Sequence, residues 1–111
     1  GIDLYVGQGG APEGVLAAAA LKCVGGQMLG RLVFRNDDER KRAEKTGITD
    51  FGRTYALNEL ASGDTVFCAT GVTDGSMLSG VKSSDGRVHT HTLVMTSIDG
   101  MVRYVRSDRK V

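Results

Sequence analysis

A glycine-rich turn directly before an alanine-rich helix is the strongest constraint in this 111-residue sequence. Residues 2–6 alternate apolar and polar side chains, which predicts a β-strand, and they run into Gly7-Gln8-Gly9-Gly10. A helix is predicted next, because Pro12 suits a first helical turn, Glu13 favours the positive helix N-terminus and Gly25-Gly26 provides a stop. The chain is therefore expected to open with a strand, a tight turn and a helix.

The remaining periodicity predicts an α/β chain, with an α+β arrangement of helices packed on a mixed sheet. The apolar run of residues 15–21 predicts that the first helix is buried. Later elements are expected as a strand (residues 28–34), a charged surface helix (36–47), a short helix (55–61) and three strands (65–70, 90–96 and 101–106). Asp99-Gly100 predicts a hairpin between the last two strands. With no repeat or linker in the sequence, residues 1–111 are treated as one unit.

Charge and cysteine content narrow the classes of partner. The formal net charge is +1, from 14 basic and 13 acidic residues, so neither nucleic acid nor an anionic membrane is expected as a partner. The longest apolar run is far shorter than the roughly 20 residues of a membrane span, and nothing resembles a signal peptide. The expected location is the cytoplasm, or an organelle stroma reached with a transit peptide that has been lost. Cys23 and Cys68 lack metal-type spacing and are expected to be buried free thiols.

The turn before the first helix is a candidate binding site. Backbone N–H groups of a glycine-rich turn at a helix N-terminus suit a phosphate, although such turns also serve packing alone. Glu13 would repel a bare phosphate but could hold a hard cation that bridges to one. From the residues alone, two interpretations stay open: Glu13 as a metal ligand, or Glu13 as a carboxylate that only stabilises its helix.

Other polar residues have structural and functional interpretations. His89 and His91 would share one face of a strand, but no acid or cysteine is placed to complete a metal site, so exposed strand positions are favoured. Asp74 could be a catalytic or metal-binding acid, and the turn formed by Asp74-Gly75 is favoured. The charged helix is either a solvated face or a subunit contact. The basic residues near the end are expected to guard a sheet edge: Arg103, Arg106, Arg109 and Lys110.

Two separated motifs carry a resemblance to a known family. Residues 9–15 read Gly-Gly-Ala-Pro-Glu-Gly-Val and continue into the alanine helix and Gly25-Gly26-Gln27-Met28, while residues 69–75 read Ala-Thr-Gly-Val-Thr-Asp-Gly. Together with residues 63–68 and 78–81, they resemble the C-terminal region of class II fructose-1,6-bisphosphatases. Bacterial and cyanobacterial members of that family include bifunctional fructose-1,6- and sedoheptulose-1,7-bisphosphatases.

The resemblance implies a metal-dependent hydrolase of carbohydrate metabolism, in gluconeogenesis or the Calvin cycle. It assigns Glu13 as a ligand of Mg²⁺ or Mn²⁺ and Gly10 as a contact of the sugar bisphosphate, with the Gly9-Gly10 backbone approaching the phosphate. The reaction implied is hydrolysis of the 1-phosphate. The family's fold resembles the layered lithium-sensitive sugar phosphatases, and its members are commonly homo-oligomers.

The family's other metal ligands and its catalytic carboxylates lie in an N-terminal part that this sequence does not contain. No catalytic residue is therefore assigned in residues 1–111, which are expected to be the C-terminal portion of the enzyme and inactive alone. The missing N-terminal part of the same enzyme is then a required partner. The alternative is a non-catalytic module that binds sugar phosphates.

Overall fold

The computed structural model describes Gly1 and residues 3–111. Among them lie three helices: α1 (Ala11–Cys23), α2 (Asp37–Lys45) and α3 (Leu57–Leu60). The strands are β1 (Leu29–Arg31), β2 (Thr54–Ala56), β3 (Val66–Thr70), β4 (Lys82–Ser84), β5 (Arg87–Thr96) and β6 (Val102–Lys110). This content confirms the predicted combination of helices and sheet. None of the helices in the described part is long and apolar enough to cross a membrane.

Helix α1 forms where the glycines and proline predict it. Gly10 precedes it in an extended conformation, Pro12 lies in its first turn, and Gly14 N donates to Gly10 O at 3.0 Å. At the other end Gly25 has φ +76°, a conformation that glycine adopts without strain, and Gly26 N donates to Leu21 O at 2.9 Å. The predicted helix is confirmed.

Burial of α1 is limited to one side of its C-terminal half. Ala18 and Cys23 are buried, whereas Val15 and Leu16 are exposed. The prediction that the apolar run 15–21 is buried is therefore wrong for its first three residues. Ala18 is buried, and Ala20 packs against the apolar cluster on the sheet, whereas residues 15–17 remain exposed.

Antiparallel pairing links every described strand to its neighbour. Strands β1 and β2 form a small ribbon. In the larger sheet β5 is central: β6 pairs along one edge, from Met95↔Val102 to Arg87↔Lys110, while β3 and β4 share the other edge. The hairpin predicted at Asp99-Gly100 is confirmed between β5 and β6.

A small apolar cluster joins α1 to this sheet. Cys23, Leu93 and Met95 are buried together, and Ala20, Phe67 and Leu78 pack around them. The Cys23 thiol lies 3.8 Å from the Thr65 carbonyl oxygen, to which it donates a weak hydrogen bond. The C-terminal end of α1 is thus fixed at the start of β3.

The prediction of a strand at residues 2–6 is wrong for residues 3–6, which the structure describes. Ile2 lies outside the described residues, and residues 3–6 pair with no strand in the described part of the chain. Leu4, Tyr5 and Val6 are instead highly exposed. Alternation alone does not make a strand, because an extended segment needs a neighbour to accept and donate its backbone hydrogen bonds.

Three smaller predictions also need correction. Residues 54–56 form β2, so the helix predicted at 55–61 is reduced to α3. Strand β4 was not predicted, although Asp85 (φ +51°) and Gly86 (φ +73°) form the tight turn between β4 and β5. Cys68 is a free thiol as expected, but it is exposed on β3, while Cys23 is free and buried.

The charged helix matches its prediction closely. The Asn36 side chain caps α2 by accepting a hydrogen bond from Glu39 N at 3.0 Å, and α2 has no buried residue. Two ion pairs lie along it: Arg40 contacts Asp37 at 3.2 Å, three residues apart, and Arg35, just before the helix, contacts Glu39 at 2.7 Å, four residues apart.

The hairpin offers a test of the fold. Gly100 has φ +67°, so Gly100→Ala should lower the free energy of unfolding by about 1 kcal/mol. Gly14→Ala is the matched control, because Gly14 lies inside α1 with open space around it. This substitution should raise the free energy of unfolding by about 0.5–1 kcal/mol. Urea unfolding measures both variants, and equal effects of the two would contradict this hairpin geometry.

Candidate functional site

The glycine-rich turn brings backbone donors to the start of α1. Gly10 has no side chain to cap the helix, and Glu13 is exposed in the first turn. The first N–H groups of a helix have no partner within the helix, and the helix dipole places partial positive charge there. The turn is therefore a polar surface that suits an anionic group.

The Glu13 side chain folds back over Gly10. A Cβ atom added to Gly10 would collide with the Glu13 carboxylate. Any other residue at position 10 would therefore compete with that carboxylate for the same space. In this conformation the absent Gly10 side chain leaves room for the carboxylate above the turn, although the exposed Glu13 side chain can turn aside at little cost.

A cavity of about 690 Å³ lies beside this turn. Gly9 and Gly10 line one side, and Phe34, Arg35 and Glu39 are among the residues on the other. The motif residues 9–10 and the start of α2, far apart in sequence, thus meet at one opening. The sequence interpretation did not identify Arg35 or Glu39 as part of this site.

Glu39 holds Arg35 at the rim of the cavity. Its carboxylate accepts hydrogen bonds from Arg35 N at 3.0 Å and from Arg35 Nε at 2.7 Å. The bond from the Arg35 backbone amide, followed by that from its guanidinium, lowers the pKa of the Glu39 carboxyl below its ordinary value. The i,i+4 spacing of Arg35 and Glu39 in the sequence is typical of an ion pair. Only the fold places this pair beside the glycine turn.

The described residues supply one acid at the turn for a metal ion. A carboxylate oxygen is a ligand that Mg²⁺ and Mn²⁺ favour, so Glu13 is chemically suited. Octahedral ions of this type need about six oxygen ligands. Among the residues that the structure describes, no group of three or more His, Cys, Asp or Glu side chains could hold an ion. Glu13 alone fits as one ligand of a larger site.

The second glycine-containing motif forms a loop between β3 and β4. Asp74 accepts hydrogen bonds from Lys82 Nζ at 2.7 Å and from Gly80 N at 2.8 Å. These bonds, with the Lys82 side chain contributing most, lower the pKa of the Asp74 carboxyl below its ordinary value. Asp74 therefore acts as the anchor of a turn here, in agreement with the favoured interpretation.

Both glycines at the ends of this loop permit close backbone contacts. A Cβ on Gly71 would collide with the Ser79 carbonyl oxygen, and one on Gly80 would lie 2.7 Å from the Thr73 backbone carbonyl carbon. His91 holds the loop from β5: its Nδ1 accepts from Ser79 N at 2.9 Å and its carbonyl from Gly71 N at 3.0 Å. Gly71 and Gly80 therefore serve packing.

The histidines and the basic residues of β6 can now be placed. His89 and His91 are both half-buried, so the expectation of exposed histidines is wrong, because β6 and the loop cover part of β5. His89 lies near Ser84 Oγ, at 3.3 Å, and Asp108. The four basic residues are exposed on β6 at the sheet edge, as predicted: Arg103, Arg106, Arg109 and Lys110.

The loop anchor gives a pH-dependent prediction. Because the folded pKa of Asp74 is lowered, its carboxylate stabilises the loop above the unfolded value of about 3.9, and this contribution is lost as the pH falls through the folded pKa. Asp74→Asn should therefore unfold at lower urea concentration than the unsubstituted chain at pH 7. This difference in urea concentration between the two chains should disappear as the pH falls below about 4. Asp64→Asn, an exposed acid without a Lys82 contact, is the control. A difference for Asp74→Asn that persists unchanged at low pH would contradict the role.

Comparisons with known proteins point to the same family that the two sequence motifs resemble. A family profile described as bacterial fructose-1,6-bisphosphatase, glpX-encoded, matches residues 1–109. Two Synechococcus proteins (strains JA-3-3Ab and JA-2-3B'a(2-13)) named D-fructose 1,6-bisphosphatase class 2/sedoheptulose 1,7-bisphosphatase are each 38% identical over 118 residues, covering 95% of this chain and 34% of the relative. A Prochlorococcus marinus (strain AS9601) protein of the same name is 36% identical over 121 residues, and the match covers 96% of this chain and 36% of that relative. The chain thus spans about a third of the length of these relatives. It belongs to the glpX-encoded bacterial fructose-1,6-bisphosphatase family.

Proposed function

We propose that this chain supplies one side of the active site of a metal-dependent sugar-bisphosphate phosphatase. The substrate proposed is fructose 1,6-bisphosphate, hydrolysed at the 1-phosphate, with sedoheptulose 1,7-bisphosphate as a second substrate. The observation that carries the proposal is the Glu13 carboxylate lying over Gly10 at the N-terminus of α1. Family membership supports the class of reaction.

Residues 1–111 are proposed to be the C-terminal portion of the enzyme. The relatives are about three times as long as their matched region, so most of their residues have no counterpart in this chain. The further carboxylates needed for metal binding and for catalysis would come from that remaining part. Such a division agrees with the single acid that the described residues place at the glycine turn.

Each residue of the turn has a separate role in the proposal. Glu13 would bind a Mg²⁺ or Mn²⁺ ion, and that ion supplies charge neutralisation at the phosphate and a more acidic water molecule. The Gly9-Gly10 backbone would contact the sugar phosphate, because the lack of side chains permits close approach. Arg35 lines the cavity beside the turn, where its guanidinium is paired with the Glu39 carboxylate.

The cellular setting is proposed from family membership. The reaction belongs to carbohydrate metabolism, in gluconeogenesis or the Calvin cycle, and the enzyme is proposed to be cytoplasmic and homo-oligomeric. The exposed charged face of α2 is one candidate for a subunit contact. The competing proposal is a non-catalytic module that binds sugar phosphates, which the small number of acids at the turn would also suit.

Substitution of Glu13 in the full-length enzyme tests the metal role. Glu13→Ala should reduce the rate of phosphate release by about 100-fold or more, because loss of even an outer-shell partner of a metal costs 10–100-fold. It should also weaken Mn²⁺ binding measured by calorimetry. Asp64→Ala, at an exposed acid outside the turn and outside α2, is the matched control and should leave both quantities unchanged. Near-normal turnover in Glu13→Ala would refute the assignment.

The isolated chain provides the second test. Residues 1–111 incubated with fructose 1,6-bisphosphate and Mn²⁺ should release no phosphate above the uncatalysed rate, since the chain offers a single metal ligand at the turn. A colorimetric phosphate assay measures this directly. Hydrolysis that persists in a matched Glu13→Ala preparation would indicate contamination, whereas Glu13-dependent hydrolysis by the isolated chain would contradict the division of the active site.

A further inference from the structure

An apolar groove runs between the C-terminal half of α1 and the β5–β6 hairpin. Its volume is about 450 Å³. Leu93 and Met95 form its floor, and side chains from α1, β6 and the β3–β4 loop form its walls, among them Leu21, Val24, Met77, Val102 and Tyr104. Among the residues that the structure describes, those lining the groove carry no charge.

The groove exposes large apolar side chains at the boundary of the core. Val24, Met77 and Tyr104 are 56%, 59% and 57% exposed, respectively, although they adjoin Leu93, which is 1% exposed. Contiguous apolar surface of this kind usually marks an interaction site in a soluble protein. Water in the groove would contact the side chains that hold α1 on the sheet, so an apolar occupant would stabilise that packing.

We infer that this groove is the docking site for the remaining two thirds of the family polypeptide, which inserts an apolar helix or strand there. The inference rests on the proposed function, in which that part completes the active site. Two observations favour this occupant. The relatives contain about twice as many residues outside the matched region as within it. The groove is concave, so the same surface of a second copy would not fill it, whereas a convex element would.

The docking site has a mechanical link to the candidate active site. The groove lies along Ala20, Leu21 and Val24, and Glu13 lies on the same helix. A part of the polypeptide that packs against the C-terminal half of α1 would therefore hold a fixed position relative to the start of the helix, where Glu13 lies. Residues brought by that part could then be held in fixed positions around the same ion.

A photo-crosslinking experiment identifies the occupant. This chain replaces the matched third of the Synechococcus JA-3-3Ab relative, and Tyr104 is replaced by the photoreactive p-benzoylphenylalanine. Illumination should give a crosslink within one polypeptide, from position 104 to a peptide of the relative's remaining part. The same replacement at Val105 is the control, because Val105 lies opposite Thr92 on the other face of the sheet. A crosslink between two copies, or a folded chimera with no crosslink at 104, would overturn the inference.

A matched pair of substitutions gives a second readout. Val102 faces the groove and Val105 the opposite side, and they are 45% and 42% exposed on the same strand. In the chimera, Val102→Asp should lower Tm by at least about 4 °C more than Val105→Asp does, because docking would bury the charge at position 102 only. In the isolated chain the two shifts should be equal. Equal shifts in the chimera would count against the groove.

Activity separates this inference from the proposed function. Phosphate release by the unsubstituted chimera tests the function, and the crosslink tests the groove. A crosslinked but inactive chimera would retain the docking site and contradict the function. An active chimera without the crosslink would support the proposed function and contradict the docking site. If Val102→Asp prevents folding, the crosslink at 104 still decides, and a chimera that does not fold at all would contradict docking between the two parts.

Discussion

Packing of the C-terminal half of α1 against the central strand β5 is the contact on which the rest of the structure depends. Cys23, Leu93 and Met95 form the buried cluster, and the alanine side of the helix permits the close approach. The Lys22 ammonium donates to the Ala61 carbonyl at 3.0 Å and adds a polar tie at the same end. Because the helix is fixed at its C-terminal end, its N-terminal turn, with Gly10 and Glu13, projects from the sheet and stays accessible.

That arrangement leaves the chain with little core of its own. Its radius of gyration is 17.6 Å, whereas a compact chain of this length would have about 13 Å. Five apolar residues of the described part are buried, while many large apolar side chains there remain exposed on α1, β6 and residues 4–6. The chain spans about a third of the length of its relatives and keeps many apolar side chains exposed, which supports the proposal that it is one portion of a larger packed unit.

Local signals in the sequence predicted the parts of the fold that depend on neighbouring residues. Pro12 and Gly25 bounded α1, Asn36 capped α2, and Asp99-Gly100 set the β5–β6 hairpin. Predictions failed where long-range partners decide: residues 3–6 have no strand beside them, and Cys68 lies on the uncovered face of β3. Arg35 and Glu39 join the candidate site only because the chain folds back beside Gly10. The metal role proposed for Glu13 rests on the resemblance to the family motif, since a helix-stabilising carboxylate has the same local sequence.

The central claim is that Glu13 is a metal ligand at the N-terminus of α1. The most direct measurement is anomalous diffraction at a wavelength sensitive to manganese, from crystals of the full-length polypeptide grown with Mn²⁺ and fructose 1,6-bisphosphate. The account predicts an anomalous peak about 2.0–2.3 Å from a Glu13 carboxylate oxygen, with further carboxylates from outside residues 1–111 around the same ion. A fully occupied manganese site that excludes Glu13 would contradict it.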